Sequence, residues 1–415
     1  MKVVVAQKGA REHFLAARAL NQLGDLSQLV ADWYAPSAKI PRQVISALFG
    51  RNGHSALAAH ADGIPDNLIH PMRARGLLSR WQERAAARRG CLYEGYDQTD
   101  AAFARKVASL DLPEHDVFFG YSYASFEALE AEKRRGRLTI VDQIDPGPVE
   151  FRIVAEEMRE HPELAGPPLK FPSNHFDRAR REWELADIIV VNSEWSRDAI
   201  ISEGADPAKI EILPLAYEAE EVQSAKSTKR TGNLKVLWLG QVNVRKGIHY
   251  LLEAARLLER EAVEFLIAGP IQIRPFVVET APKNVRWLGP IPRNQVRELY
   301  EASDVFVLPT LSDGFAITQI EALAHGLPII VTPRCGRVVE DGVTGFLIPP
   351  KEPTALVNAI LKFVKDRRLA PDMSQKCTQI CKTFSIAAYG NDLLQIIGKH
   401  LARNEPVRLC EQTAA

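Results

Sequence analysis

Short apolar runs recur through most of this chain, each followed by a polar turn and then by apolar residues three and four positions apart. The first run, residues 2–6, leads through Q-K-G-A-R-E-H into a helical pattern at 14–23 that Gly24 ends. Further runs stand at 26–33, 116–120, 138–142 and 188–192. A strand buried on both faces loses its polar alternation, so strands of this kind alternating with helical stretches predict a parallel, doubly wound α/β sheet. Between 217 and 233 the sequence becomes polar (E-A-E-E-V-Q-S-A-K-S-T-K-R-T-G-N after Tyr217) and loses apolar periodicity, which marks a hinge. Alternation resumes at 234 and holds through 361, and 362–400 reads as mostly helical. The expected division is an N-terminal domain at 1–216, a linker at 217–233 and a C-terminal domain at 234–385. A terminal helix at 386–403 and a tail at 404–415 complete it.

Two strand-to-helix turns in the second half carry candidate chemistry. A strand at 236–239 ends at Gly240, a polar loop brings Arg245 and Lys246, and Gly247 opens a helix with apolar Ile248, Leu251, Leu252, Ala255 and Leu258. Further on, the strand V-F-V-L-P is followed by T-L-S-D-G-F and the helical run I-T-Q-I-E-A-L-A-H-G, with Asp313 and Glu321 separated by seven residues. Adjacent cations at such a turn suit a diphosphate, arginine as a planar fork and lysine as a point charge. Backbone N–H groups and the helix dipole at a glycine turn favour phosphate, and a carboxylate further along can accept ribose hydroxyls.

At these residues the chain resembles the GT4 family of retaining glycosyltransferases. The pair Lys246-Gly247 matches the family's K-G, and D-G-F-A-I-T-Q-I-E matches its E-G-F-x-x-x-x-x-E. The resemblance continues through E-A-L-A-H-G-L-P-I-I-V-T-P-R-C-G-R-V-V-E-D-G-V-T-G-F-L-I-P-P and W-L-G-P-I-P-R-N-Q-V-R-E-L-Y-E-A-S-D-V-F-V-L-P. In the first half it covers A-D-I-I-V-V-N-S-E-W-S-R-D and A-K-I-E-I-L-P. It implies the GT-B fold: two Rossmann-like domains facing a central cleft, with the C-terminal helix crossing back to the first. It also implies transfer of a sugar from a nucleotide-diphosphate donor to an acceptor hydroxyl with retention, by front-side displacement without an enzyme nucleophile. Envelope or extracellular polysaccharide, or glycolipid, is the expected product class.

By the same resemblance Arg245, Lys246 and Asp313 are the catalytic candidates. Gly9, Gly240, Gly314, Phe315, Ala316 and Glu321 join them in holding the donor, Gly9 by leaving room for the diphosphate and Gly314 to Ala316 by their amides. Three positions depart from the pattern. Gln241 stands where an arginine is usual, with Arg245 as the substitute guanidinium, and Asp313 replaces the first glutamate. T-I-V-D-Q-I-D-P occupies the place of the usual catalytic histidine, with Asp142 or Gln143 nearest it. Alternative readings are a phosphorylase, a nucleotide-sugar epimerase, or a nucleotide-sugar-binding protein without catalysis. His13 reads as a helix-start residue and His325 as a structural one that complements a helix C-terminus.

Composition narrows the rest. The 415 residues, 46% hydrophobic and 25% charged, carry no formal net charge, so no overall field points to nucleic acid. Five cysteines lack a framework spacing, and Cys377 and Cys381, four apart, are expected to be structural. The apolar N-terminus is too short for a signal peptide, and no run reaches the ~18 residues of a membrane span, which makes the cytoplasm the expected compartment. No D-x-D pair is present and D-Q-I-D has the wrong spacing, so no metal cofactor is expected. No G-x-G-x-x-G follows a strand, which disfavours nicotinamide cofactors. Residues 39–90 hold nine Lys/Arg against three acids, with Arg73, Arg80, Arg84 and Arg88 on one helical face near Leu77, Leu78 and Trp81. That pattern suits anionic lipid at the inner membrane face, and it equally suits a solvated basic helix.

Overall fold

A computed structural model of the chain describes residues 1–34, 63–164, 174–218 and 232–412. Two parallel sheets organise it. The first contains β1 (Val3–Gln7), β2 (Leu26–Ala31), β3 (Ile69–Pro71), β4 (Val117–Tyr121), β5 (Leu138–Gln143), β6 (Ile188–Val191) and β7 (Ile210–Ile212), in the order β3-β2-β1-β4-β5-β6-β7. Around it lie α1 (Leu15–Gln22), α2 (Arg73–Arg88), α3 (Leu92–Ala108), α4 (Phe126–Arg134), α5 (Pro148–Glu160), α6 (Asp177–Leu185) and α7 (Glu194–Ser202). The central strands β1, β4, β5 and β6 are buried along their whole lengths, as strands covered on both faces must be. The short β3, I-H-P, is half-buried at the sheet's edge and gives no apolar run to read.

The second sheet comprises β8 (Leu234–Leu239), β9 (Val263–Ala268), β10 (Val285–Gly289), β11 (Val305–Leu308), β12 (Ile329–Val331) and β13 (Gly345–Leu347), ordered β10-β9-β8-β11-β12-β13. Its helices are α8 (Ile248–Leu257), α9 (Pro275–Glu279), α10 (Arg293–Ala302), α11 (Ile317–Ala324), α12 (Pro353–Lys365) and α13 (Leu369–Cys381). In both sheets the strand order reverses beside the first strand, and such a switch point opens a crevice at the carboxyl ends of the strands. The two-domain α/β architecture therefore has the expected form.

The last helix, α14 (Ile386–Gln412), returns to the first domain. Gly390 lies against α1, where an added methyl would sit 2.8 Å from Leu23 Cδ1. Lys399 Nζ and His400 Nε2 reach Glu211 at 2.6 and 3.2 Å. The helix is longer than the expected 386–403: it runs through most of the expected tail, Pro406 included. Of the expected hinge, residues 219–231 lie outside the described residues, as do Lys39, Arg42, Arg51 and Asp62 of the basic segment.

The single basic face expected on α2 divides in the structure. Arg73 Nε donates to Tyr34 O at 3.1 Å, and the Arg80 guanidinium lies over the Trp33 ring, 5.2 Å from its centroid. A weakly hydrated planar cation stacks readily on indole, so Arg80 turns inward, while Arg73 stays exposed with one N–H held by the Tyr34 carbonyl. Arg84 and Arg88 remain outward with Leu78 and Trp81, the latter 68% exposed. Cys377 and Cys381 are buried with their thiols facing the carbonyls of Thr344 and Ile320, a packing role. Among the described residues no helix is long and apolar enough to cross a membrane.

Candidate functional site

The β8–α8 turn depends on a close backbone approach. Gly247 takes φ +68° at the start of α8, and a methyl there would lie 1.9 Å from Pro309 O, so only glycine lets this loop meet the end of β11. Leu311 N and Thr310 Oγ1 both donate to Arg245 O at 2.9 Å and lock the two turns together. The register brings Arg245 and Lys246 onto Asp313. Arg245 Nη1 lies 3.2 Å from Asp313 Oδ1, and Lys246 Nζ pairs with Asp313 Oδ2. Burial, and then the neighbouring Arg245 charge, pull the Lys246 ammonium down to about 7. Asp313 is thus the counter-charge of both cations.

Residues of the first domain close on the same turn. Glu150, at the start of α5, places Oε1 3.6 Å from Arg245 Nη1 and accepts from Ser312 Oγ at 3.0 Å through Oε2. Burial raises its carboxyl, against the pull of Arg245. Trp195 Nε1 donates to Ser312 Oγ at 2.9 Å, and Ser193 Oγ donates to Gly314 O at 2.7 Å. A methyl on Gly314 would stand 2.8 Å from Ile144 O and 2.9 Å from Asn192 Nδ2, so Gly314 is where the two domains touch most tightly. Arg334, after β12, adds a third cation: its guanidinium lies 4.9 Å from the Trp195 ring centroid, and its carbonyl accepts from Asp313 N at 2.7 Å.

The remaining residues singled out in the sequence divide into two groups. Glu321, on α11, directs Oε2 to the Tyr300 hydroxyl at 2.8 Å. Burial raises its carboxyl, opposed by Tyr300 and Arg293. His325 stacks on Tyr300 with ring centroids 5.1 Å apart, the structural role expected of it. His13 does more than start a helix, because its Nε2 meets Arg293 Nη1 of the other domain at 2.5 Å.

The amides of Gly314 and Phe315 have no acceptor among the described residues, whereas Ala316 N already donates to Cys335 O at 2.9 Å. Ala316 is therefore not an available phosphate donor here. The Phe315 ring packs against Gly336 and keeps the turn in place. Gly9 has φ +78° and donates its N–H to Asp32 Oδ1 at 2.7 Å, and a methyl on it would meet nothing within 4 Å. Its positive φ favours glycine, and the space where a side chain would start is open. Gly240 ends β8, with the Trp238 ring an ordinary 3.6 Å from an added methyl, and Gln241 beside it is exposed.

Of the two residues nearest the expected histidine position, Gln143 is fully used, accepting from Trp183 Nε1 at 2.8 Å and donating to Asp145 Oδ1 at 2.9 Å. Asp142 is buried beside Glu12, and burial first, then the Glu12 charge, raises its carboxyl well above the usual range. Sequence reading missed Glu150, Ser312, Tyr300 and Arg334. N-S-E-W after β6 and P-R-C-G after β12 follow strands directly, and that placement was the available signal.

Comparison with known proteins adds the following. Residues 233–366 match the family described as glycosyl transferases group 1. A D-inositol 3-phosphate glycosyltransferase of Corynebacterium efficiens is 27% identical over 235 residues, covering 50% of this chain and 55% of that protein. The chain spans about half the length of the relatives it matches. Among solved structures, sucrose-phosphate synthase from Thermosynechococcus elongatus superposes with TM-score 0.65 at 16% identity, covering 97% of this chain and 100% of that one. Anabaena Alr3699/HepE in complex with UDP and glucose superposes with TM-score 0.60 at 14% identity, covering 96% and 100%.

Proposed function

From a chain that has the GT-B fold and carries a glycosyl transferases group 1 domain, we propose a glycosyltransferase that uses a nucleotide-diphosphate sugar and retains the anomeric configuration. The observation that carries this reading is the meeting of Arg245, Lys246 and Asp313 at two adjoining strand-to-helix turns, against a wall supplied by the other domain. In this reading the diphosphate takes the place of Asp313 on the two cations. The two cations then stabilise the departing diphosphate as the glycosidic C–O bond breaks, the part a metal ion would otherwise play. The Gly314 and Phe315 amides meet phosphate or sugar oxygens. Asp313, once released, accepts a sugar hydroxyl, and Glu321, steadied by Tyr300, accepts the ribose hydroxyls.

The acceptor hydroxyl approaches on the face from which the diphosphate leaves and passes its proton to the departing phosphate oxygen, so no base is required from the first domain. The sugar–acceptor bond forms as the sugar–phosphate bond breaks. Closure through Glu150, Ser193 and Trp195 excludes water, the competing nucleophile. Support for UDP among donors comes from the UDP-bound Anabaena structures. A thermal-shift screen with UDP, GDP and ADP sugars tests donor binding, since a ligand at ~100 times its Kd adds ~2.7 kcal/mol. NMR of the product linkage tests retention, and an inverted product overturns it. Turnover without added Mg2+ or Mn2+ is expected.

We further place the acceptor on an anionic membrane surface, as in glycolipid or envelope polysaccharide synthesis. The outward Trp81 and Leu78, with Arg84 and Arg88 a turn or two along α2, are the support for this. Flotation with anionic liposomes, abolished in Trp81→Ala/Arg84→Glu, is the expected result, and equal flotation with neutral liposomes defeats it. A binding role without transfer is the second reading, favoured by the double engagement of Asp313 and by Gln143 in place of histidine. Sugar release or transfer that is lost in Lys246→Ala eliminates it.

A further inference from the structure

The two domains meet again two helical turns along α5 from Glu150, away from the diphosphate turn. Glu157 is completely buried there, and most groups facing it belong to the other domain. His249 Nε2 lies 2.7 Å from its Oε1, the Tyr250 hydroxyl donates to that same oxygen, and Lys351 Nζ lies 2.6 Å from Oε2. From its own side, His161, the first residue past the end of α5, brings Nε2 to 3.7 Å from Oε1. The His161 and His249 ring centroids are 5.2 Å apart.

We propose that Glu157, His161 and His249 form a site for a divalent transition-metal ion, Zn2+ by its donor chemistry, that joins the two domains. One carboxylate oxygen and two imidazole nitrogens lie within 4.8 Å of one another, a spacing that small side-chain rotations convert to bond lengths of ~2.0–2.2 Å around one ion. Two imidazoles and a carboxylate are the ligands of zinc and its neighbours, not of magnesium or calcium. His161 is 38% exposed, which leaves an entry path and a fourth position for water.

The surrounding groups accommodate the ion. His249 Nε2 already points at the shared carboxylate oxygen, 2.7 Å from Glu157 Oε1. Its Nδ1 is buried without a partner and can carry the proton that leaves Nε2 on coordination. Lys351, held in a left-handed backbone at φ +65°, contacts the other carboxylate oxygen and lies 3.5 Å from Glu160, so it keeps a counter-charge when the ion binds. Coordination ties α5, whose first turn carries Glu150, to α8, whose preceding loop carries Arg245 and Lys246. The ion holds the cleft closed and takes no part in transfer. Sequence reading expected no metal for want of a D-x-D pair, and these ligands, with His249 88 or more residues from the other two, offer no local spacing to read.

The test uses the full chain stripped of metal with a chelator and then titrated with Co2+, followed by displacement with Zn2+. The expected result is one equivalent of cobalt with the visible ligand-field bands of a four-coordinate ion, and a zinc Kd of about micromolar or tighter. His161→Ala removes a half-exposed ligand without touching the core, and is expected to weaken zinc at least ~10-fold while leaving the circular dichroism spectrum unchanged. No cobalt bands, no zinc binding below ~100 µM, or the parent affinity in both His161→Ala and His249→Ala overturns the site. Each of those results leaves Glu157 as the acceptor of a purely hydrogen-bonded interdomain contact.

Discussion

At the carboxyl edge of the second sheet the turns present cations and open amides, through Arg245, Lys246, Arg334, Gly314 and Phe315. At the facing edge of the first they present acids, through Glu12, Asp142, Glu150 and, further along α5, Glu157. Glu150 faces Arg245 and Glu157 faces His249 and Lys351, so closure and anion binding draw partly on the same positive groups. A diphosphate entering the site must compete with Asp313 and Glu150 for cations that are already paired. In the proposed function the cationic edge takes the ligand and the acidic edge closes on it.

The sharpest test of that asymmetry is removal of a cation. Lys246→Ala is expected to lower sugar transfer ~100- to 1,000-fold, about 2.7–4 kcal/mol of barrier, measured as nucleotide release. Glu321→Ala, which deletes the ribose acceptor, is expected to raise the donor Kd by ~10- to 100-fold with a smaller change in kcat, as loss of hydrogen bonds to a charged group predicts.

Gly314→Ala probes where the regions touch. The methyl must displace Ile144 O or Asn192, so a roughly tenfold weaker UDP affinity and a lower Tm are expected. Gly240→Ala, with only an ordinary contact to Trp238, is the control expected to lose far less. Equal effects of the two glycine substitutions would sink the close-approach argument.

The pH dependence follows from Lys246. Its pKa in the unliganded site is about 7, and a bound diphosphate favours the ammonium and raises it, so binding takes up a proton above pH 7. UDP affinity is expected to fall as pH rises from 7 to 9, by at most ~10-fold per unit, and Lys246→Arg should flatten the profile. The smallest effect expected is that of Glu150→Gln. Removing the competing acid should tighten UDP ~2- to 5-fold by calorimetry, and weaker binding would make Glu150 a supporting residue of the site.

The second region was legible in sequence because its chemistry is local. A strand, a glycine turn and a helix start fix Arg245, Lys246 and Gly314 within a few residues of a regular element, and the periodicity of 234–361 places those elements. Asp313 and Glu321 were found for the same reason, as neighbours on one turn and one helix. Glu150 and Tyr300 gave no comparable signal, since each acts on a residue from another turn or domain. The inward turn of Arg80 was illegible for a related reason: helical spacing assigns a face, but the stacking partner Trp33 comes from the loop after β2.

Letters alone therefore determined the alternation of strands and helices, the two-domain plan and the cation and acid turns, because each arises from side-chain period and turn stereochemistry over short spans. Only the tertiary structure decided which carboxylates oppose which cations, which amides remain open, and that two histidines from different domains converge on Glu157. Those outcomes depend on how two rigid sheets dock, and docking is set by close approaches such as Gly314 against Ile144, between residues 170 positions apart.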